Sequence, residues 1–436
     1  MKILENVFHL SRHGTTPARE AIAGLTTFVT MSYIIVVNPA VLKAAGIPAE
    51  PSMVATILVA IFGTLLMGLY ANRPFAIAPY MGENAFIAYS VVGALGYSWQ
   101  TALAAVFIAG IVFLVMTALR LRQWLVEAIP LSLRHSFAVG IGLFLTFIGL
   151  NQTGIVMLGV AGAPVRTGPL TAGPVLLAIF GFLLMAVLMI RRFPAAILVG
   201  ILVTTIVAYI FGLAPVPHRW VSLPPSISPI LWKLDFQHTL TWGFFPVVLT
   251  IFVMAFVDTM ATLIGVSARA GLLDDQGNLP QIERPMLVDA LSTSVAAALG
   301  TTTAGAFIES ATGVEAGGRT GLTSVVTALC FAGALFLSPF VASIPPQAYG
   351  PALIVVGLLM LSPIRNIPFD DFTELIPAFT VVALMSFTYN VGVGITAGFV
   401  LYPFCKLVSG RLREVRPGLW VLAALSLLFF VFYPYH

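Results

Sequence analysis

The chain has 436 residues, of which 59% are apolar and only 9% charged, with a formal net charge of +4 and a mean hydropathy of +1.01. Soluble domains carry roughly 25% charged residues, so there is too little charge here to coat a water-facing surface, which excludes a cytosolic enzyme and a disordered chain. The basic residues are dispersed rather than clustered, which excludes a nucleic-acid surface, and the chain reads as a polytopic membrane protein.

A bilayer core about 30 Å thick takes about 20 helical residues. The N-terminal segment up to Arg19 has no signal-peptide apolar core followed by a cleavage site. Apolar runs then predict spans near 20–42, 52–71, 77–94, 98–119, 134–151, 172–190 and 195–213. A Pro-rich stretch over 214–240 follows, with Pro215, Pro217, Pro224, Pro225 and Pro229. Spans resume near 241–265, 286–300, 303–317, 321–344, 350–362, 372–388 and 391–408. After the basic patch of Arg411, Arg413 and Arg416 comes an apolar segment, 417–433, whose composition does not decide between crossing the bilayer and lying along it. These runs are too long for the roughly ten-residue alternating segments of a membrane barrel, so the fold class is all-α. Cys330 and Cys405 both lie in apolar segments and cannot build a disulfide framework.

Charge asymmetry across the loops gives the topology. With the N-terminus inside, all of the 21 Lys and Arg except Lys43, Arg166, Arg219 and Lys233 fall on the inner side. A miscounted helix would scramble this partition from that point on, so it favours fourteen spans. Seven on each side of the linker predict two repeats, 1–213 and 241–410, with 411–436 appended. An odd number per repeat inverts the second relative to the first, a transporter pattern.

The third span of each half is unusual in the same way. FAIAPYMGENAFIAYS (75–90) holds Pro79, Gly82, Glu83 and Asn84, and GTTTAGAFIESATGVEAGG (300–318) is rich in Gly and Thr and carries two glutamates. Both read as an extended stretch followed by a short helix that begins within the membrane, its N–H groups aimed at the protein centre. The alternative is a pair of poor helices packed through small residues.

Five acidic residues fall at depths where a carboxylate is costly: Glu83, Asp258, Asp289, Glu309 and Glu315. Asp258 sits mid-run in FPVVLTIFVMAFVDTMATLIGV (245–266). Glu309 opens the second half-helix, with Asn84 expected opposite it in the first. Glu83 is placed equally well in a cavity or a packed interface. Glu315, four residues before Arg319, reads as half of a structural pair, and Asp289 as a cap or interfacial group. GGRTG (317–321) lacks phosphate-loop spacing, Asn151-Gln152-Thr153 matches a glycosylation sequon of a kind common by chance, and the histidines form no metal spacing. No nucleophile elbow is present, so nothing points to an enzyme or to a cofactor.

The segments HGTTPAREAIAGLTTFVTMSYIIVVNPAVL (13–42), APYMGENAFIAY (78–89), FVDTMATLIGV (256–266), IESATGVEAGGRTGLTSVV (308–326) and FTELIPAF (372–379) resemble the azaguanine-type purine permeases of the nucleobase–cation symporter superfamily, in order and over nearly the whole chain. The resemblance implies the uracil-permease fold, with short strands in spans three and ten. Its core domain would come from spans near 20–119 and 241–344, and its gate domain from spans near 134–213 and 350–408. It implies import of a purine nucleobase (adenine, guanine or hypoxanthine) with protons, driven by the proton gradient through an elevator motion. It also implies a bacterial-type inner membrane, contact with lipid, and a homodimer through the gate.

Carried over residue by residue, Glu309 would bind the base, Asp258 would link substrate to proton, and Asn84 would complete the polar edge. The main chain at Ala306 and Phe307 would finish the cradle. Asp258, Glu83 and Glu309 are the proton-coupling candidates. Three positions depart from the family pattern: Glu83 and Glu315 replace uncharged residues, and Ala255 replaces a polar one. A xanthine or uracil transporter, an anion transporter on the same fold, and a non-transporting receptor are the rival readings; carboxylates at the site speak against an anion.

Overall fold

The computed structural model describes residues 2–119, 128–160, 163–240, 244–274 and 279–432. Of the positions discussed above, Arg120, Arg122, the side chain of Arg269, residues 241–243 and residue 433 lie outside them.

Helix α1 (Lys2–Phe8) precedes α2 (Pro17–Met31), where Thr16 accepts from the Arg19 N–H and Pro17 supplies a pre-set first turn. The first span breaks at Ser32–Tyr33 and continues as α3 (Ile34–Lys43). Helix α4 (Ala49–Leu69) returns to strand β1 (Ile77–Pro79) and α5 (Met81–Ala85), which widens into a π-type helix over Phe86–Ala94. Helices α6 (Trp99–Ala118) and α7 (Leu131–Gln152) follow. Between α7 and α8 (Gly173–Ile190) stands an exposed hairpin of β2 (Val156–Val160) and β3 (Ala163–Thr167), which the all-α expectation did not include. Those residues lie in a short loop outside the apolar runs, exposed along β3, where strand pairing costs no membrane burial. Helix α9 (Ala196–Ile210) closes the first half.

A short α10 (Phe236–Thr239) leads to α11 (Phe245–Ala270), α12 (Glu283–Leu299), strand β4 (Ala304–Ala306), α13 (Ser310–Glu315) and α14 (Gly321–Ala334). Then come α15 (Ser338–Ala342), α16 (Pro346–Leu359), α17 (Phe372–Phe387), α18 (Val391–Val408) and α19 (Pro417–Phe432). Among the described residues, nine helical segments are long and apolar enough to cross a membrane. The expected third, seventh, ninth, tenth and thirteenth spans are shorter or part strand.

Helices of the two halves interleave. Helix α14 lies against α2 and α4, and α12 against α6; in a second group, α7 packs on α16 and α17, and α17 on α18. One contact is backbone to backbone: a Cβ at Gly321 would fall 1.9 Å from the Gly68 carbonyl oxygen, so only glycine lets α14 approach α4 this closely. Where α14 meets α2, Glu20, wholly buried on α2, accepts from the Arg319, Thr320 and Thr323 N–H groups and from Thr323 Oγ1 at 2.6 Å. It is a helix cap supplied from another span, satisfying donors that the first turn of α14 cannot satisfy itself. The C-terminal helix α19 packs along α18 and touches α11, burying Leu419, Leu422 and Ala423.

Candidate functional site

The two short strands meet antiparallel, with Ile77 opposite Ala306, Ala78 opposite Gly305 and Pro79 opposite Ala304. The Tyr80 N–H donates to the Thr303 carbonyl at 3.0 Å, and the Phe307 N–H to the Ala76 carbonyl at 2.9 Å. Buried strands this short need partners on their outer edges, since no water is at hand. Thr64 of α4 accepts from the Ile77 N–H at 2.9 Å and donates to the Ile77 carbonyl at 3.2 Å. Thr293 of α12 does the same for Ala304, at 3.3 and 2.8 Å. The same device serves both halves, which makes Ile77 the counterpart of Ala304 and Tyr80 the counterpart of Phe307.

That relation pairs Glu309 with Gly82, not with Asn84. Asn84 lies one turn into α5, fully buried, and donates to the Asn38 side chain of α3. Asn38 in turn donates to Thr56 Oγ1 at 2.7 Å and Thr301 Oγ1 at 3.1 Å. Asn84 Oδ1 has no hydrogen-bond partner among the described residues.

Glu309 stands immediately before α13 and is half-buried, its Oε1 accepting from the Tyr33 hydroxyl at 2.6 Å. Tyr33 reaches it because the first span breaks there; a continuous helix would keep that ring on its own surface. The N–H groups at the start of α13 are less available than expected: those of Ser310, Ala311 and Thr312 turn back to the carbonyls of Phe307, Ile308 and Glu309. The Ala306 N–H goes to Asp289 Oδ2 at 3.0 Å, and that of Phe307 to Ala76. A cradle at these two positions therefore offers carbonyls and the Phe307 ring.

Asp289 is not a cap or interfacial group. It is wholly buried within α12, bonds the β4 backbone and lies 3.5 Å from the Tyr80 hydroxyl, which also meets Thr259 Oγ1 at 3.1 Å. Asp258, beside Thr259 on α11, is half-buried. Glu83 is wholly buried with neither carboxylate oxygen partnered among the described residues. Glu315 is exposed at the far end of α13, and the Arg319 guanidinium donates to the Val314 and Gly318 carbonyls.

Tyr80 and Phe307 lie nearly parallel, with ring centroids 6.3 Å apart and planes 8° off. Tyr80 fits only because residue 305 is glycine: a Cβ there would sit 2.2 Å from the Tyr80 hydroxyl oxygen. The arrangement gathers two half-buried carboxylates, two flat rings and a buried amide pair around one strand crossing. It can grip a small planar molecule by its edge and face. Among the described residues no cluster of His, Cys, Asp and Glu could hold a metal ion.

Tyr33, Asn38, Tyr80 and Thr259 were not singled out from the sequence, and Asp289 was, but as a cap or interfacial group rather than as part of the site. Asn38 carried the clearest signal, a lone amide inside the apolar run IIVVNPAV.

The Permease family model (Xan_ur_permease) matches residues 18–401. The chain is 41% identical to the adenine permease AdeP of Escherichia coli over 435 residues, covering 100% of this chain and 97% of AdeP. It is 40% identical to the guanine/hypoxanthine permease PbuO of Bacillus subtilis over 432 residues, covering 98% and 99% of the two. Among solved structures, the transmembrane domain of the cyanobacterial bicarbonate transporter BicA superposes with a TM-score of 0.64 at 16% identity, over 87% of this chain and 96% of that one. That likeness is one of fold.

Proposed function

Because this chain belongs to the Permease family, where its relatives include adenine and guanine/hypoxanthine permeases, we propose that it imports a purine nucleobase by proton symport. The observation that carries the proposal is the Tyr33–Glu309 pair at the strand crossing, a fixed acceptor beside the Phe307 ring. The base stacks on that ring and gives its N–H edge to Glu309, and Asp258 completes the polar contacts. An unpaired polar group left in such a site is costly, which separates one base from another.

Asp258 and Glu83 carry the coupled proton. A neutral site crosses the gate at lower cost than a charged one. The core is spans 20–119 and 241–344 and the gate spans 134–213 and 350–408, moving past one another as an elevator. The separate packing of α2, α4, α6, α12 and α14 from α7, α16, α17 and α18 supports this division. The fourteen-span inverted repeat is supported by the paired use of Thr64 and Thr293. The protein is a multi-pass transporter and not an enzyme, in a bacterial-type inner membrane with its N-terminus inside, and it pairs through the gate.

The test is uptake of labelled adenine, guanine, hypoxanthine, xanthine and uracil into proteoliposomes, with and without an inward proton gradient. Purine uptake that collapses with an uncoupler, and is lost in a folded Glu309→Gln variant, supports the proposal. Uptake of bicarbonate or sulfate, unaffected by purines, overturns it.

A further inference from the structure

An apolar groove lies between α18 and α19. Val400, Pro403, Phe404 and Leu407 form one wall and Trp420, Ala423, Ala424 and Leu427 the other, around a groove of about 290 Å³. Each wall repeats the i, i+3, i+4, i+7 spacing of a single helix face, and the two alanines keep the floor open. Phe404, Leu407, Trp420 and Leu427 remain 46–57% exposed, so the groove faces outward from the protein.

The turn over 409–416 joins the two walls and closes one end of the groove. It is held from inside. Lys406, wholly buried at the end of α18, pairs with Glu374 at 2.7 Å and Glu414 at 2.8 Å. Arg411 pairs with Asp371 and Glu414, both at 2.7 Å. Glu374 also accepts from Tyr402 at 2.7 Å and from Ser132. These contacts consume every acid of the turn and only one of its three arginines. Arg413 and Arg416 are exposed, with no ion pair among the described residues.

A wholly apolar slot along two outward-facing helices, with two free guanidinium groups at its mouth, is complementary to one chemistry. We propose that the groove is a site for an anionic phospholipid. An acyl chain lies between the two walls, Trp420 sits at the level of the glycerol backbone, and Arg413 and Arg416 hold the phosphate. The guanidinium fork suits phosphate oxygens in pairs. The acidic groups facing this turn, Asp371, Glu374 and Glu414, are paired with Lys406 and Arg411; the one negative charge left over is outweighed by Arg413 and Arg416, so the mouth of the groove stays net positive.

The experiment is native mass spectrometry of the purified full chain, titrated with phosphatidylglycerol or with phosphatidylcholine. The wild type should retain phosphatidylglycerol in preference. Each basic residue near an anionic headgroup is worth about fivefold in binding, so R413Q/R416Q should lose at least about tenfold of that preference and leave phosphatidylcholine retention unchanged. Ala424→Phe, which fills the groove at an exposed position, should weaken retention of both lipids. Size exclusion and thermal unfolding check that the variants are folded. Undiminished phosphatidylglycerol preference in R413Q/R416Q overturns the assignment. So does an Ala424→Phe variant that changes oligomeric mass without changing lipid retention, which would make the groove a contact between copies of the chain.

Discussion

Replacing Gly305 by alanine tests whether the strand crossing is the rigid centre of the site. A Cβ at this position would meet Tyr80 Oη at 2.2 Å, Cζ at 2.5 Å and Cε2 at 2.6 Å. The strand cannot retreat, because Tyr80 N–H, Phe307 N–H and Ala306 N–H all hold it within 3.0 Å of their acceptors. The tyrosine must therefore swing away, breaking its contacts to Thr259 and Asp289. Overpacking of this kind costs about 1–3 kcal/mol, and each lost neutral hydrogen bond about 1 kcal/mol more. The sum is about 3–5 kcal/mol. The melting temperature in detergent should fall by several degrees. Apparent substrate affinity should fall at least about tenfold, the equivalent of 1.4 kcal/mol. Gly265→Ala is the control, since nothing lies within 4 Å of a Cβ there. In a double-mutant cycle, Tyr80→Leu should remove most of the cost of Gly305→Ala, because the clashing atoms are gone. If Gly305→Ala melts and transports like the Gly265→Ala control, the close packing of Tyr80 on β4 and the role built on it are refuted.

Tyr33→Phe removes the donor that orients Glu309; a hydrogen bond to a charged group is worth about 1.5–3 kcal/mol of stability, so the melting temperature should fall by a few degrees and uptake KM should rise by about tenfold or more. Glu20→Ala strands the Arg319 and Thr320 N–H groups at the start of α14 and should lower stability by at least about 2 kcal/mol, read by thermal unfolding, with Glu20→Gln intermediate. Outside the membrane, hydrogen bonds from Thr373 and then Arg411 hold Asp371 below the usual carboxylate range, and Arg411 and then Lys406 do the same for Glu414. Groups lowered in the folded state stabilise it above their unfolded pKa and lose that contribution as pH falls through the folded one. Stability of the α17–α18–α19 junction should therefore be flat near neutrality and drop only below about pH 4; Arg411→Gln should flatten that acid limb in a hydrogen-exchange measurement across the 409–416 turn.

Composition and run length alone made this a membrane protein of many helices. The apolar free energy of a 20-residue run does not depend on its neighbours, so it can be read one segment at a time. The two broken spans were legible for a related reason: Pro79, Gly82 and the Gly- and Thr-rich stretch before Glu309 are poor lipid-facing helix wherever they sit. Motif order then carried the family. What the sequence left undecided were partners between segments distant in the chain. Tyr33 reaches Glu309 across 276 residues, and Glu20 caps a helix some 300 residues later. Asp289 looked like a helix-end acid because its depth depends on where α12 begins and on what packs around it. Asn84 was placed opposite Glu309 by analogy between the halves, and only the strand register showed that Gly82 holds that place. Burial and hydrogen bonding are properties of neighbours in space. A single chain read end to end names the groups that need partners, and only the tertiary structure decides which partners they find.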